Sequence, residues 1–130
     1  MNDHTLLLRQ VHPSWVQSDN FSIQVFTSQT FRPTPKDDFK LSVYNGEKFS
    51  SESSYQHYAS NGNVSAGVVA VTVQECTEFG LPCEEDNLPF DGHSFIDYAG
   101  LSSSAIEKVG GKLKIKAKMR GWLYLPENNN

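Results

Sequence analysis

From Val64 to Val73 the chain reads V-S-A-G-V-V-A-V-T-V, with small or apolar side chains at both odd and even positions and no charge. A run of this kind, rich in β-branched valine and bounded by Asn61-Gly62-Asn63 and Gln74-Glu75, predicts a strand buried on both faces, and its expected place is the centre of a sheet. Shorter alternating stretches surround it. Thr5 to Val11 puts Leu6 and Leu8 on one face and Leu7 and Arg9 on the other. Phe21 to Thr27 sets Phe21, Ile23 and Val25 against Ser22, Gln24 and Phe26, and Lys40 to Tyr44 turns Leu41 and Val43 inward before an Asn45-Gly46 turn. His93 to Tyr98 is a further strand, with Phe95 and Ile96 on opposite faces. His12-Pro13 ends regular pairing, Trp15 and Val16 follow in a loop, and Phe31 to Asp38, with Pro33 and Pro35, is a stiff loop.

Helical spacing occurs at three places. Ser50 to Ser60 carries Tyr55, Tyr58 and Ala59 at intervals of three and four, with Ser51 and Ser54 as a weak cap and Asn61-Gly62 as the stop. Gln74 to Phe79 has room for one or two turns before Gly80-Leu81-Pro82. The third is the stronger pattern: Ser104-Ala105-Ile106-Glu107 spells a capping box, and Ile106, Val109, Leu113 and Ala117 form an apolar stripe. Gly110-Gly111 inside it costs about 1 kcal/mol per glycine relative to alanine. Either a close backbone approach requires these glycines or the helix begins after them. Gly121 ends the pattern, and Trp122 to Leu125 docks as a last strand or an extended tail. Glu84 to Gly92 is acidic and turn-forming, an exposed connection. Strand runs mixed with helices predict an α+β fold over residues 1–126, one mixed and mostly antiparallel sheet with about two helices packed on it, and a disordered tail at 127–130.

Composition adds little until charge is placed along the chain. With 38% hydrophobic and 20% charged residues, the 130 residues suit a single globular domain. No run is long enough to cross a membrane, and Met1 to Arg9 lacks the basic and apolar regions of a secretory signal, so a cytoplasmic setting is expected, with Cys76 and Cys83 as thiols. Six of the eleven basic residues but one of the fifteen acidic ones fall in residues 105–120, a local charge of +5 that leaves −9 for the rest. Lys108, Lys112 and Lys116 make one stripe, with Lys114 and Lys118 beside it. Such a face meets an acidic partner or phosphates, or simply balances nearby acidic loops; with a net charge of −4 and no interleaved aromatics, an acidic protein is favoured over nucleic acid.

No complete catalytic set stands out. A thiol nucleophile would pair Cys76 with His12, His57 or His93, oriented by Asp91 or Asp97. A zinc site would need Cys76, Cys83 and two histidines, but the chain lacks the closely spaced ligand pair of such sites, so no metal or other cofactor is expected. Phosphate-cradling glycine motifs are absent, since Gly110-Gly111 is followed by Lys112-Leu113. Arg9, the Ser28-Gln29-Thr30 triplet and an acid such as Glu75 or Glu78 resemble the arginine, serine-x-serine/threonine and glutamate series of the ADP-ribosyltransferase superfamily, in three short patches.

Over most of the chain, R-Q-V-H-P at Arg9 to Pro13, F-R-P-T-P-K-D at Phe31 to Asp37, L-S-V-Y at Leu41 to Tyr44 and R-G-W-L-Y at Arg120 to Tyr124 resemble patches shared by a group of small uncharacterised bacterial proteins. The resemblance implies a bacterial cytoplasmic single-domain protein and brings no activity with it. Two hypotheses result. The leading one is a small interaction or accessory protein that binds a protein partner through Trp15, Lys108, Lys112 and Lys116, with the Pro-rich loop and His12 beside them; self-association stays open. The rival is a small enzyme in which Arg9, His12, Ser28 and Arg32 converge on an anionic or nucleotide substrate. A deep pocket lined by those four residues favours the enzyme, and a flat surface favours the binder.

Overall fold

The structure, a computed structural model, describes residues 1–18 and 24–126. In chain order the elements are β1 (Leu6–Val11), β2 (Val16–Ser18), β3 (Gln24–Phe26), β4 (Lys40–Asn45), α1 (Ser51–Ser60), β5 (Gly67–Thr72), α2 (Val73–Glu78), β6 (Cys83–Glu85), β7 (His93–Asp97) and α3 (Ser103–Arg120). Short 3-10 turns cover Pro13–Trp15, Ser28–Phe31 and Pro35–Asp37 within the proline-containing connections. The fold is α+β: a five-stranded antiparallel sheet in the order β5-β1-β4-β7-β6, three helices, and a small β2-β3 hairpin. No helix among the described residues is long and apolar enough to cross a membrane.

The sheet separates two apolar layers. On one face Leu7, Val11, Leu41, Val43, Val69, Val71 and Ile96 meet Ile106, Leu113 and Ala117 of α3, Cys76 of α2, and Phe31. Burying each large side chain of this set contributes about 1.5–3 kcal/mol. Tyr98 is buried there as well, and its hydroxyl donates to the Phe31 carbonyl at 2.6 Å. On the other face Leu8, Tyr44, Val68 and Ala70 lie under α1 and the C-terminal segment, with Tyr55, Tyr58, Phe90 and Tyr124 packed around them. Helix α1 is mostly polar, and a buried chain of side-chain bonds ties it to the sheet: Ser65 Oγ donates to Gln10 Oε1 at 2.8 Å and Gln10 Nε2 to Ser54 Oγ at 3.1 Å.

Several expectations need correction. The valine-rich strand β5 lies at the edge of the ladder, not at its centre. It reads as doubly buried because it has a layer on each face, and because other groups cover its outer edge. Val68 N–H donates to the Tyr124 carbonyl at 2.9 Å, Leu123 N–H donates to Val68 O at 2.9 Å, and Arg120 donates to Ala70 O at 2.9 Å. The 122–125 segment therefore docks through a single bridge at Val68 and Tyr124. Val16, expected in a loop, begins β2. Of the expected Phe21–Thr27 strand, Gln24–Phe26 is a strand, while Phe21 to Ile23 lie outside the described residues, as does the expected tail at 127–130. The Glu84–Gly92 connection contains part of β6, an acidic edge of the kind that discourages further pairing.

Both helix caps also sit earlier than expected. Ser50, not Ser51, caps α1 in a reciprocal box with Ser53. Ser102, not Ser104, caps α3, accepting from Ala105 N–H at 3.2 Å, while Glu107 lies 3.6 Å from Arg32. The helix runs through Gly110-Gly111, and the close approach that calls for glycine is at 110, where a Cβ would stand 3.1 Å from the Phe31 carbonyl oxygen.

Candidate functional site

Strands β1 and β4 pair only at Leu7 with Asn45 and Leu8 with Tyr44, and then part, whereas β1 stays paired with β5 along its whole length. Arg9 fills the wedge between them. Alternation places Arg9 on the side of Leu7 and Val11. Its guanidinium closes the gap by donating from Nε to Thr30 O at 2.8 Å and from Nη1 to Ser42 O at 2.9 Å. The Trp15 ring lies 5.5 Å from Cζ. Both hydrogen bonds run to neutral carbonyls, and among the described residues no carboxylate pairs with this cation. Burial pushes the guanidinium below its ordinary value, with the nearby Tyr58, Tyr98 and Asp37 opposing that shift.

Arg9 is packed in protein yet keeps a surface on a cavity of about 590 Å³ that opens on the α1 side of the sheet. Helix α1 contributes His57 and Tyr58 and its C-cap Asn61, the 86–90 segment contributes Leu88, Pro89 and Phe90, and Tyr44 and His93 complete the sheet wall. A volume of this size suits a small organic ligand. Among the described residues, Asp86 is the one acidic residue in the lining.

Hydrogen bonds orient both histidines. Tyr44 Oη lies 2.9 Å from His57 Nδ1, and burial pushes the phenol up to about 12, so the hydroxyl keeps its proton. His57 Nε2 has no protein hydrogen-bond partner among the described residues. At His93, Nδ1 lies 3.0 Å from the Asp86 carbonyl, which can only accept, so Nδ1 carries the proton and Nε2 accepts from Ser42 Oγ at 3.2 Å. Ring packing holds this wall in place: Phe90 sits 4.4 Å from His57 and 5.0 Å from Tyr44, centroid to centroid. The Tyr58 hydroxyl, close enough to Arg9 and Tyr44 to act on both electrostatically, has no protein hydrogen-bond partner among the described residues.

The four residues expected to converge are divided. Arg9 lines the cavity. His12 is exposed and caps the Pro13–Trp15 turn, accepting from Ser14 N–H at 3.0 Å. Ser28 Oγ accepts from Arg32 Nη2 at 3.0 Å, a local pair that reaches toward Glu107 and does not line the cavity. Of the expected binding surface, Trp15 is partly buried against the core and stacked near His12, Lys108 is exposed, Lys112 Nζ lies 5.5 Å from the Phe79 centroid, and Lys116 Nζ stands 4.0 Å from Glu78. Glu75 is bound by Arg120 at 3.0 Å, so neither acid of the ADP-ribosyltransferase-like series reaches the cavity.

Cys76 is buried, and the neighbouring Cys83 thiol together with burial pushes its own thiol up, against nucleophile chemistry. Among the described residues, no cluster of three or more histidine, cysteine, aspartate or glutamate side chains could hold a metal ion. Sequence reasoning missed Tyr44, Tyr58 and Phe90 as site residues. Their only signal was an excess of aromatics around α1 and the acidic connection, which reads equally well as core. No family model, curated protein or solved structure matches the chain.

Proposed function

We propose that the protein binds a small organic anion in the cavity between α1 and the 86–90 segment, with the anionic group on Arg9. One observation carries this reading: Arg9, its guanidinium surrounded by protein and paired with no carboxylate among the described residues, lines a ligand-sized cavity. A buried cation without a counter-charge is costly, and an incoming anion repays that cost. The site is compatible with either a carrier or a small enzyme of the kind expected from the sequence, since His57 and Tyr44 form a proton-holding pair beside the anion position. A bacterial cytoplasmic setting is part of the proposal, and the two free cysteines are compatible with a reducing compartment.

The test is an NMR titration of the full chain with benzoate, phenyl phosphate and neutral benzyl alcohol. Saturable shifts at His57, Tyr58 and Phe90 with an anion but not with the alcohol, lost in a folded Arg9→Gln variant, are expected. Absence of any response to the anions would end the proposal.

A second reading, the partner-binding surface, rests on α3. Ile115 and Met119 are 56% and 81% exposed, one turn apart on a helix rich in lysine. An apolar pair ringed by positive charge fits an acidic protein partner.

A further inference from the structure

Resting on that anion-binding reading, we propose that the ligand is a phosphate monoester carrying a flat ring, its phosphoryl oxygens shared by Arg9, Tyr58 and His57 and its ring set against Leu88, Pro89 and Phe90. The argument begins with what each donor has left to give. Arg9 spends its Nε hydrogen on Thr30 and one of Nη1 on Ser42, leaving both Nη2 hydrogens and one on Nη1 without a protein partner among the described residues. The remaining fork is enough for a planar carboxylate. Two more donors remain, however, both on consecutive residues of α1. The Tyr58 hydroxyl has no protein partner among the described residues, and His57, whose Nδ1 is engaged by Tyr44, leaves Nε2 open and presents an N–H there in the tautomer that accepts from the Tyr44 hydroxyl. A carboxylate has only two oxygens in one plane. A terminal phosphoryl group has three, directed tetrahedrally, and can accept from a strand cation below and two helix donors to one side.

The rest of the cavity fits the other half of such a molecule. Leu88 is 76% exposed at the mouth although it is a large aliphatic residue, and Pro89 and Phe90 continue that apolar lip. Phe90 is braced by His57 and Tyr44, so the lip presents a fixed wall and not a loose loop. A flat ring covering Leu88 removes apolar surface from water while the charged end stays at Arg9. Asn61 and Asn63, which also line the cavity, supply amide groups for polar atoms on the ring edge.

Calorimetry and NMR on the full chain with four probes test this: AMP, adenosine, phenyl phosphate and benzoate. Phenyl phosphate is expected to bind about tenfold or more tightly than benzoate, and AMP about tenfold or more tightly than adenosine, the scale of one added charge-assisted hydrogen bond. Tyr58→Phe keeps the ring and its packing. It should weaken AMP and phenyl phosphate severalfold while leaving benzoate unchanged, and His57→Gln should do the same. Benzoate binding as tightly as phenyl phosphate, with Tyr58→Phe affecting neither, would overturn the phosphate assignment while leaving the anion-binding reading in place. If none of the three anions moves the His57, Tyr58 and Phe90 signals, both fall. Shifts confined to the α3 lysines would also overturn the proposal, because they would place the phosphate on the opposite layer.

Discussion

Arg9 occupies a strand position whose neighbours on the same face, Leu7 and Val11, are fully buried. A cation there costs desolvation, and the structure recovers part of that cost through the Ser42 carbonyl, freed where β1 and β4 separate, and the Thr30 carbonyl of the Ser28–Phe31 turn. Gly110 makes a comparable accommodation. Its bare Cα admits the Phe31 carbonyl, which the Tyr98 hydroxyl holds at 2.6 Å and which cannot retreat cheaply. Alanine at 110 gains about 1 kcal/mol of helix propensity, and overpacking against a fixed backbone costs about 1–3 kcal/mol, so Gly110→Ala is expected to lower stability. Its neighbour provides the control: a Cβ at Gly111 meets nothing within 4 Å, and Gly111→Ala should raise stability by up to about 1 kcal/mol. Urea unfolding of the two single variants checks the pair, and equal effects of the same sign would contradict the packing account.

At the level of elements, β5 explains both what the sequence reveals and where it misleads. Uninterrupted apolar character reports two covered faces, and that inference holds, because α3 and α1 lie on either side of the sheet. It says nothing about lateral neighbours. The edge position depends on contacts from Arg120, Leu123 and Tyr124, some fifty residues further on, which no local pattern encodes. The α3 stripe was legible because period and burial coincide at Ile106, Leu113 and Ala117, whereas β1, β4 and β7 were legible from apolar content and turn punctuation, since their burial does not alternate. The cavity was not, since it arises where two strands diverge and where α1 meets the 86–90 segment, both of them long-range events. Gly67 is the point where the edge cover touches β5: a Cβ there would lie 2.7 Å from the Tyr124 carbonyl and 2.9 Å from the Trp122 ring. Gly67→Ala should therefore expel the 122–125 segment, costing about 1–3 kcal/mol and shifting Trp122 fluorescence toward that of a hydrated indole. An unchanged spectrum and melting temperature would show that the cover is not clamped at this residue. The same edge is tied to α2 by Arg120 and Glu75. Burial raises the Glu75 carboxyl, but hydrogen bonds from Arg120 and the Thr72 amide outweigh it, and the net position is below the ordinary value. A carboxyl lowered in the folded state stabilises above its unfolded pKa and loses that contribution as pH falls through the folded one. Glu75→Gln, which preserves the α2 cap, should cost about 1 kcal/mol at neutral pH, with the difference from wild type shrinking in acid. A difference independent of pH would assign the loss to packing.

Across the whole molecule, positive charge and the anion site are on opposite layers. The lysines of α3 lie over one face of the sheet, while the cavity opens on the other, beside acidic residues of β6 and the following segment, in a chain of net charge −4. An anion approaching the cavity is therefore not steered by the overall field; its affinity comes at short range, from a guanidinium enclosed by protein and poorly screened by salt. Binding to α3 would behave differently, since several solvent-exposed lysines act together and each is screened. Salt thus separates the two functional readings without knowledge of the natural ligand. Between about 0.05 and 0.5 M salt, where the screening length falls from about 14 Å to about 4 Å, the dissociation constant for phenyl phosphate should change by no more than about threefold. An acidic protein held on α3 should weaken by about tenfold or more over the same range. Substituting Lys112→Glu should abolish the second kind of binding and leave the first intact, because Lys112 sits against Phe79 on the layer away from the cavity. Phenyl phosphate binding that collapses with salt, or that is lost in Lys112→Glu, would move the anion site from Arg9 to the helix.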